Sequence, residues 1–276
     1  MINKNTHQAD VTTVLATIGS PRSAPYRSFF NCVSDEQVLG AYLWGQAVSN
    51  ALWPCLSMYE VVLRNSVHMA ASRYSSQGRS VSSPWYDQQV AGCLKTTSKG
   101  AKQIDEILEK SPGLSPDGVI ASLSFGFWPS FLRGLAKKDR AHILVATFAY
   151  HPHSKVSHWS YQENVSKLID TLVMIQNLRN AVAHLEPIWK PHRLKLRSTA
   201  SLRDVVQTLQ HRHEQIIETM NWCCPASALA AQHGYANRAF KHLCSERAVE
   251  AFMQSPFHAG DLVQWDRPAR ALGDQL

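Results

Sequence analysis

The sequence predicts an all-α fold, and three observations carry that expectation. Apolar residues recur at helical spacing over long segments, most clearly from Ser160 to Leu185. Helix-start signals stand in front of several of these segments. No two alternating runs are joined by a tight turn, so strand signals are poor throughout. The apolar fraction of 45%, with 8 Trp, 8 Tyr and 9 Phe, supplies a core for one large domain or two small ones.

Taken in order, residues 1–33 are polar and irregular, with Pro21 and Pro25, and are expected to form a flexible N-terminal arm. Ser34-Asp35-Glu36-Gln37 reads as a capping box, in which a hydroxyl and an amide satisfy orphan N–H groups. A long helix then runs to about Tyr74, with a kink or a junction of two helices at Pro54. Ser75 to Pro84 is a polar linker. A helix from Thr96 or Thr97 to Lys110 ends at Ser111-Pro112-Gly113. Ser115-Pro116, an N-cap with proline behind it, opens a helix to Leu135. Asp139 to Tyr150 is another. Ser160 and Glu163 form a second capping box for the helix that Pro187 and Pro191 close. Ser201 to Trp222 and Tyr235 to Phe252 complete the set. Residues 34–222 form the main helical domain, and residues 223–276 a C-terminal helical extension with a polar tail.

The chain carries 28 Lys+Arg against 21 Asp+Glu, a net charge of +7. That excess favours polyanionic partners, although many basic proteins bind no nucleic acid. No stretch approaches the roughly 20 apolar residues of a membrane span, and no secretory signal opens the chain. The six cysteines include no CxxC pair, so a zinc ribbon is not expected, and reduced thiols in a cytoplasmic protein are. The histidine groups His151/His153/His158 and His211/His213 lack ligand spacing. No metal or other cofactor is expected.

On a wheel of about 100° per residue, Val165, Leu168, Ile169, Leu172 and Ile175 cover one helix face. Four residues further, that stripe lands on Arg179. A charge on a packing face needs an anionic partner or an open groove. His184 follows five residues later, at the helix end. The pair suits RNA cleavage by attack of a ribose 2′-OH on its own phosphate. Histidine as a residue type titrates near neutrality and serves as base. Arginine presents a planar fork to phosphate oxygens. Asn180 is a candidate to orient the imidazole or the phosphate. One histidine does not readily take one proton and deliver another in one step, and a homodimer would supply two. The competing reading is structural: Arg179 pairs with a buried carboxylate, and His184 helps to end the helix. Burial of Arg179 against Glu60 or another carboxylate would favour that reading.

An earlier helix has the same puzzle. Leu56, Leu63 and Val67 define an apolar face on which Glu60 falls, with Arg64 four residues later at its edge. The spacing allows a Glu60–Arg64 pair. Leu63-Arg64-Asn65-Ser66-Val67-His68 also echoes Leu178-Arg179-Asn180-Ala181-Val182-Ala183-His184, one residue shorter. The aromatics of Phe125-Gly126-Phe127-Trp128 suit core packing or base stacking. Lys137 and Lys138, and the loop cations Arg193, Lys195 and Arg197, are candidate RNA-backbone contacts.

Arg179-Asn180-Ala181-Val182-Ala183-His184 matches the RNxxxH form of the HEPN superfamily motif, and RNAVAHLEPIW over Arg179–Trp189 resembles the signature of the Abi-like (AbiD/AbiF) abortive-infection family. Ser124-Phe125-Gly126-Phe127-Trp128 resembles that family's SFGFW block, and Tyr59-Glu60-Val61-Val62-Leu63-Arg64-Asn65 resembles its LEvxLRN block. Trp85-Tyr86 sits where the family often has tryptophan. Leu185 stands where it often has a second histidine. The resemblance covers residues 34–222 and implies a HEPN-like helical bundle. It also implies a metal-independent endoribonuclease of an abortive-infection (phage defence) or toxin–antitoxin system, acting through Arg179 and His184. Asn180 belongs to that motif, and Glu60, Arg64, Asn65 and Glu186 support it. RNA is the implied partner, as target and as a regulatory non-coding RNA. Two other functions fit the same residues: a non-catalytic RNA-binding module, and a helical toxin regulated by a protein partner.

Overall fold

The structure, a computed structural model, describes residues 4–87 and 99–257. Among these residues it is entirely helical, with thirteen helices and no strand. They are α1 (Lys4–Ile18), α2 (Ser20–Phe29), α3 (Asp35–Ser75), α4 (Lys99–Lys110), α5 (Pro116–Ala121), α6 (Phe127–Gly134) and α7 (Lys137–Thr147). Then come α8 (Val156–Ser160), α9 (Gln162–Ala183), α10 (Leu202–Cys223), α11 (Pro225–His233), α12 (Tyr235–Leu243) and α13 (Glu246–Gln254). No helix among the described residues is long and apolar enough to cross a membrane.

Several local signals act as expected. The amide of Gln37 donates to the Ser34 hydroxyl at 3.3 Å, and the Gln37 side chain accepts from Val33 N–H at 2.8 Å. Ser115 caps α5 by accepting from Gly118 N–H at 3.2 Å. At Pro54 the expected junction of two helices is absent: α3 runs as one helix through it.

Other segments differ. Most of the expected irregular arm is helical, as α1 and α2. Pro21 sits in the first turn of α2, where its missing N–H costs nothing, and burial of Tyr26 and Phe30 fastens the segment to a core. The single helix expected from Ser115 to Leu135 breaks between α5 and α6. Leu123, Phe125, Phe127 and Trp128 are all buried, and one continuous helix would spread them around its circumference. Ser160 does not cap α9. Its hydroxyl donates back to the Val156 carbonyl at 2.7 Å, closing α8. The expected Tyr235–Phe252 helix is two, because Ser245 accepts from Ala248 N–H and starts α13. The start of the helix expected at Thr96 or Thr97 and the end of the C-terminal tail lie outside the described residues.

The described residues fall into two units. One comprises Met1–Pro54, Ala181–His213 and Gly234–Leu276. Its centre is aromatic: Trp189 packs on Tyr26 at 4.8 Å and on Phe30 at 5.0 Å, and Phe30 packs on Trp44 at 5.6 Å. The Trp44 indole N–H donates to the Leu243 carbonyl at 2.8 Å. Gly40 lets α3 approach α13 closely, since a Cβ there would lie 2.1 Å from the Phe252 carbonyl oxygen.

The other unit comprises Cys55–Asn180 and Glu214–His233. Its core joins Tyr59, Leu63 and Val67 of α3 with Val165, Leu168, Ile169, Leu172 and Ile175 of α9, all buried. A second aromatic group, Trp85, Phe127 and Phe131, has Trp85 and Phe131 at 4.5 Å and Phe127 stacked on Phe131 at 5.7 Å.

Candidate functional site

The apolar stripe of α9 delivers Arg179 to the edge of the second unit's core. There its Nε donates to Glu60 Oε2 at 2.9 Å. The two side chains are 28% and 16% exposed, so the pair is neither buried nor free in solvent. Glu60 occupies the corresponding place on α3, between buried Leu56 and Leu63. Each charge interrupts a packing stripe, and each answers the other. The expected local partner, Arg64, does not take part in this bond. Its Nε donates to the Asn65 side chain at 3.4 Å and one terminal nitrogen to the Ala121 carbonyl at 3.5 Å.

Asn180 is half-buried, and His184 is exposed in the turn that ends α9. That turn has a defined geometry. Glu186 N–H donates to the Ala181 carbonyl at 2.8 Å and Leu185 N–H to Val182 at 3.0 Å, the paired bonds of a Schellman cap. Leu185 holds the left-handed position with φ 55°, where glycine is usual, and is 56% exposed. Position 185 is therefore a strained, solvent-facing C′ site, and it carries no imidazole.

Glu186 forms an ion pair with Arg193 within the same unit. Arg193 thus neutralises a neighbour, while Lys195 and Arg197 remain exposed along the loop. Lys137 and Lys138 are exposed in the first turn of α7, in the other unit.

The echo at Leu63–His68 proves to be structural. His68 is 3% exposed, and its Nδ1 accepts from the Trp85 indole N–H at 2.8 Å. Its Nε2 lies 3.3 Å from Ser82 Oγ and 3.2 Å from Asp117 Oδ1. Burial depresses the pKa of the ring, against the pull of Asp117. This histidine anchors the loop after α3. The aromatics of the 124–128 block are core residues, and Gly126 makes room for Gln176 of α9: a Cβ would meet its amide nitrogen at 2.7 Å.

His151, His153 and His158 do gather, with ring centroids 5.1–5.9 Å apart, beside Trp159 and Trp222. Burial, then the neighbouring imidazoles, lowers the pKa of His151, and burial and His153 lower that of His158. His151 Nδ1 accepts from His153 N–H at 3.1 Å. Among the described residues no group of three His, Cys, Asp or Glu side chains is placed to hold a metal ion.

Sequence reasoning missed one feature. An open groove of about 600 Å³ runs between α2 and the 189–200 loop, with Phe29, Lys190, His192 and Ser198 among its walls. Its α2 wall belongs to the segment read as an irregular arm. Phe29 and Tyr26 in that segment were the available signal. No family model, curated protein or solved structure matches the chain.

Proposed function

We propose that the chain is a metal-independent endoribonuclease of the HEPN, Abi-like kind, serving abortive infection or a toxin–antitoxin system in the cytoplasm. The observation that carries this reading is the end of α9: a partly open Arg179 on a packing stripe, followed at five residues by an exposed His184. In the reaction a ribose 2′-OH attacks the adjacent phosphorus and the P–O5′ bond breaks. His184 accepts the hydroxyl proton, and Arg179 stabilises charge on the phosphate oxygens. Glu60 acts through Arg179 as a positioning residue. A second copy of the chain supplies the histidine that protonates the 5′ oxygen.

The test is cleavage of end-labelled RNA by the purified protein in excess chelator. The expected products carry cyclic-phosphate or 3′-phosphate ends. Arg179→Ala and His184→Ala each abolish cleavage while circular dichroism stays unchanged. Full cleavage by the double variant overturns the assignment.

A second reading, a non-catalytic RNA-binding module, is favoured by the Glu60–Arg179 pair and by Leu185. The pair gives Arg179 a structural task, and Leu185 supplies no second imidazole. Salt-dependent RNA binding without turnover would establish it.

A further inference from the structure

The groove between α2 and the 189–200 loop is built rather than incidental. Trp189, 1% exposed, is wedged among Tyr26, Phe29 and Phe30 and fixes where the loop leaves the core. Buried Leu194 and the Glu186–Arg193 pair hold its middle. The Leu196 N–H donates to the Pro191 carbonyl at 2.9 Å, with Lys195 in a left-handed conformation at φ 59°. At its end, Ser201 and Asp204 cap α10 reciprocally. A loop held at so many points presents its side chains in a fixed array.

The groove's lining carries no negative charge. Lys190 and His192 line the groove, together with hydroxyls of Ser28, Ser198 and Thr199, and no carboxylate does. Exposed Arg197 adjoins Ser198, and exposed Arg22 lies one turn before Pro25 on the face of α2 that also bears Phe29. The ring of Phe29 and the flat face of Pro191 supply apolar wall between the polar groups. A groove with a lysine on its wall, arginines on the flanking segments and an aromatic face suits a single-stranded nucleic acid: phosphates meet Lys190, Arg22 and Arg197, and bases stack on the ring. The volume, about 600 Å³, is that of a small-ligand site, enough for a nucleotide or two. The hydroxyls provide partners for a ribose 2′-OH. His184 and Lys190 are six residues apart in the same unit, so at most about 20 Å of chain separates them.

We propose that this groove is the substrate-strand subsite: it holds single-stranded RNA next to the bond presented to His184. The proposal rests on the nuclease reading for the role of the bound strand, and on the groove alone for the binding.

The test uses the full chain carrying His184→Ala, so that the probe survives, and a short fluorescein-labelled oligouridine read by anisotropy. Lys190→Glu and Ser198→Glu are compared with Lys102→Glu, a charge reversal on exposed α4. The two groove variants are expected to weaken binding by about tenfold each, and Lys190→Glu to lower the slope of affinity against salt by about one. Lys102→Glu binds as the parent does. Unchanged binding in both groove variants, or an equal loss in Lys102→Glu, overturns the groove. The two readings fail separately. If the wild-type chain leaves RNA intact while groove variants lose binding, the nuclease falls and the groove stands. If the wild type cuts RNA and the groove variants bind normally, the groove falls and the nuclease stands.

Discussion

Arg179 and Glu60 lie 119 residues apart in the chain, and the arginine Nε meets the glutamate Oε2 at 2.9 Å. Both stand where an apolar side chain would otherwise pack. Removing Arg179 leaves the half-buried Glu60 carboxylate without this donor, and removing Glu60 takes the carboxylate from a half-buried guanidinium, a cost that exceeds the net worth of the pair. Solvent reaches both, so screening moderates it.

Glu60→Ala and Arg179→Ala are each expected to lose about 1–2 kcal/mol of stability. The double variant should lose clearly less than the sum, because the shared bond is already gone after the first deletion. Urea unfolding of the four proteins measures this. Additive losses would show that the two side chains do not couple.

Leu185 should be replaceable with profit to stability. Its left-handed backbone disfavours any side chain with a Cβ by about 1 kcal/mol, and its own side chain is mostly in solvent. Leu185→Gly should raise the melting temperature by about 2–4 °C. A lower melting temperature would mean that the leucine makes contacts worth more than the strain.

His213 sets an acid limit on stability. Its ring is 4% exposed and stacks on Phe240 at 4.5 Å. Burial, assisted by Lys241, lowers its pKa to about 4. The unfolded chain therefore binds the proton more readily than the folded one. The stabilising contribution is complete above about pH 6.5 and is lost as pH falls through about 4, on the order of 3 kcal/mol in all. His68, His151 and His158 shift in the same direction. His213→Phe should flatten part of the stability profile between these limits and leave the neutral-pH value close to wild type. A profile unchanged in shape would contradict the burial argument.

Among the five described cysteines, Cys224 should react first. Its Sγ accepts from the Ser227 hydroxyl at 3.2 Å, just ahead of α11, and that bond with nearby backbone N–H groups lowers the thiol pKa. Burial raises Cys32 and Cys223, and pushes Cys55 and Cys244 up to about 12. Iodoacetamide near neutral pH, followed by peptide mass spectrometry, should find Cys224 alkylated before these four. Ser227→Ala should slow that reaction.

Much of the candidate site was legible in the sequence for a local reason. Helical periodicity put Arg179 on the buried stripe of α9 and Glu60 on that of α3, and burial of the neighbouring apolar residues follows that pattern. The caps at Ser34 and Ser115 are equally local. Where a competing local bond existed, the reading failed. Ser160 back-bonds to Val156 instead of opening α9, and Arg64 turns to its neighbour Asn65 instead of Glu60.

By itself, then, the sequence determined an all-helical chain, which residues face inward, and that two of those inward positions carry charge. Only the tertiary structure decided that the two charges answer each other, that residues 4–29 are helices and not an arm, and that α2 and the 189–200 loop border an open groove lined by Lys190 and no carboxylate. The reason is physical. Periodicity and capping act within a few residues and are written in a short window. Which stripe packs on which depends on contacts between segments far apart in the chain, where burial of Tyr26, Phe30 and Trp189 outweighs a weak local preference.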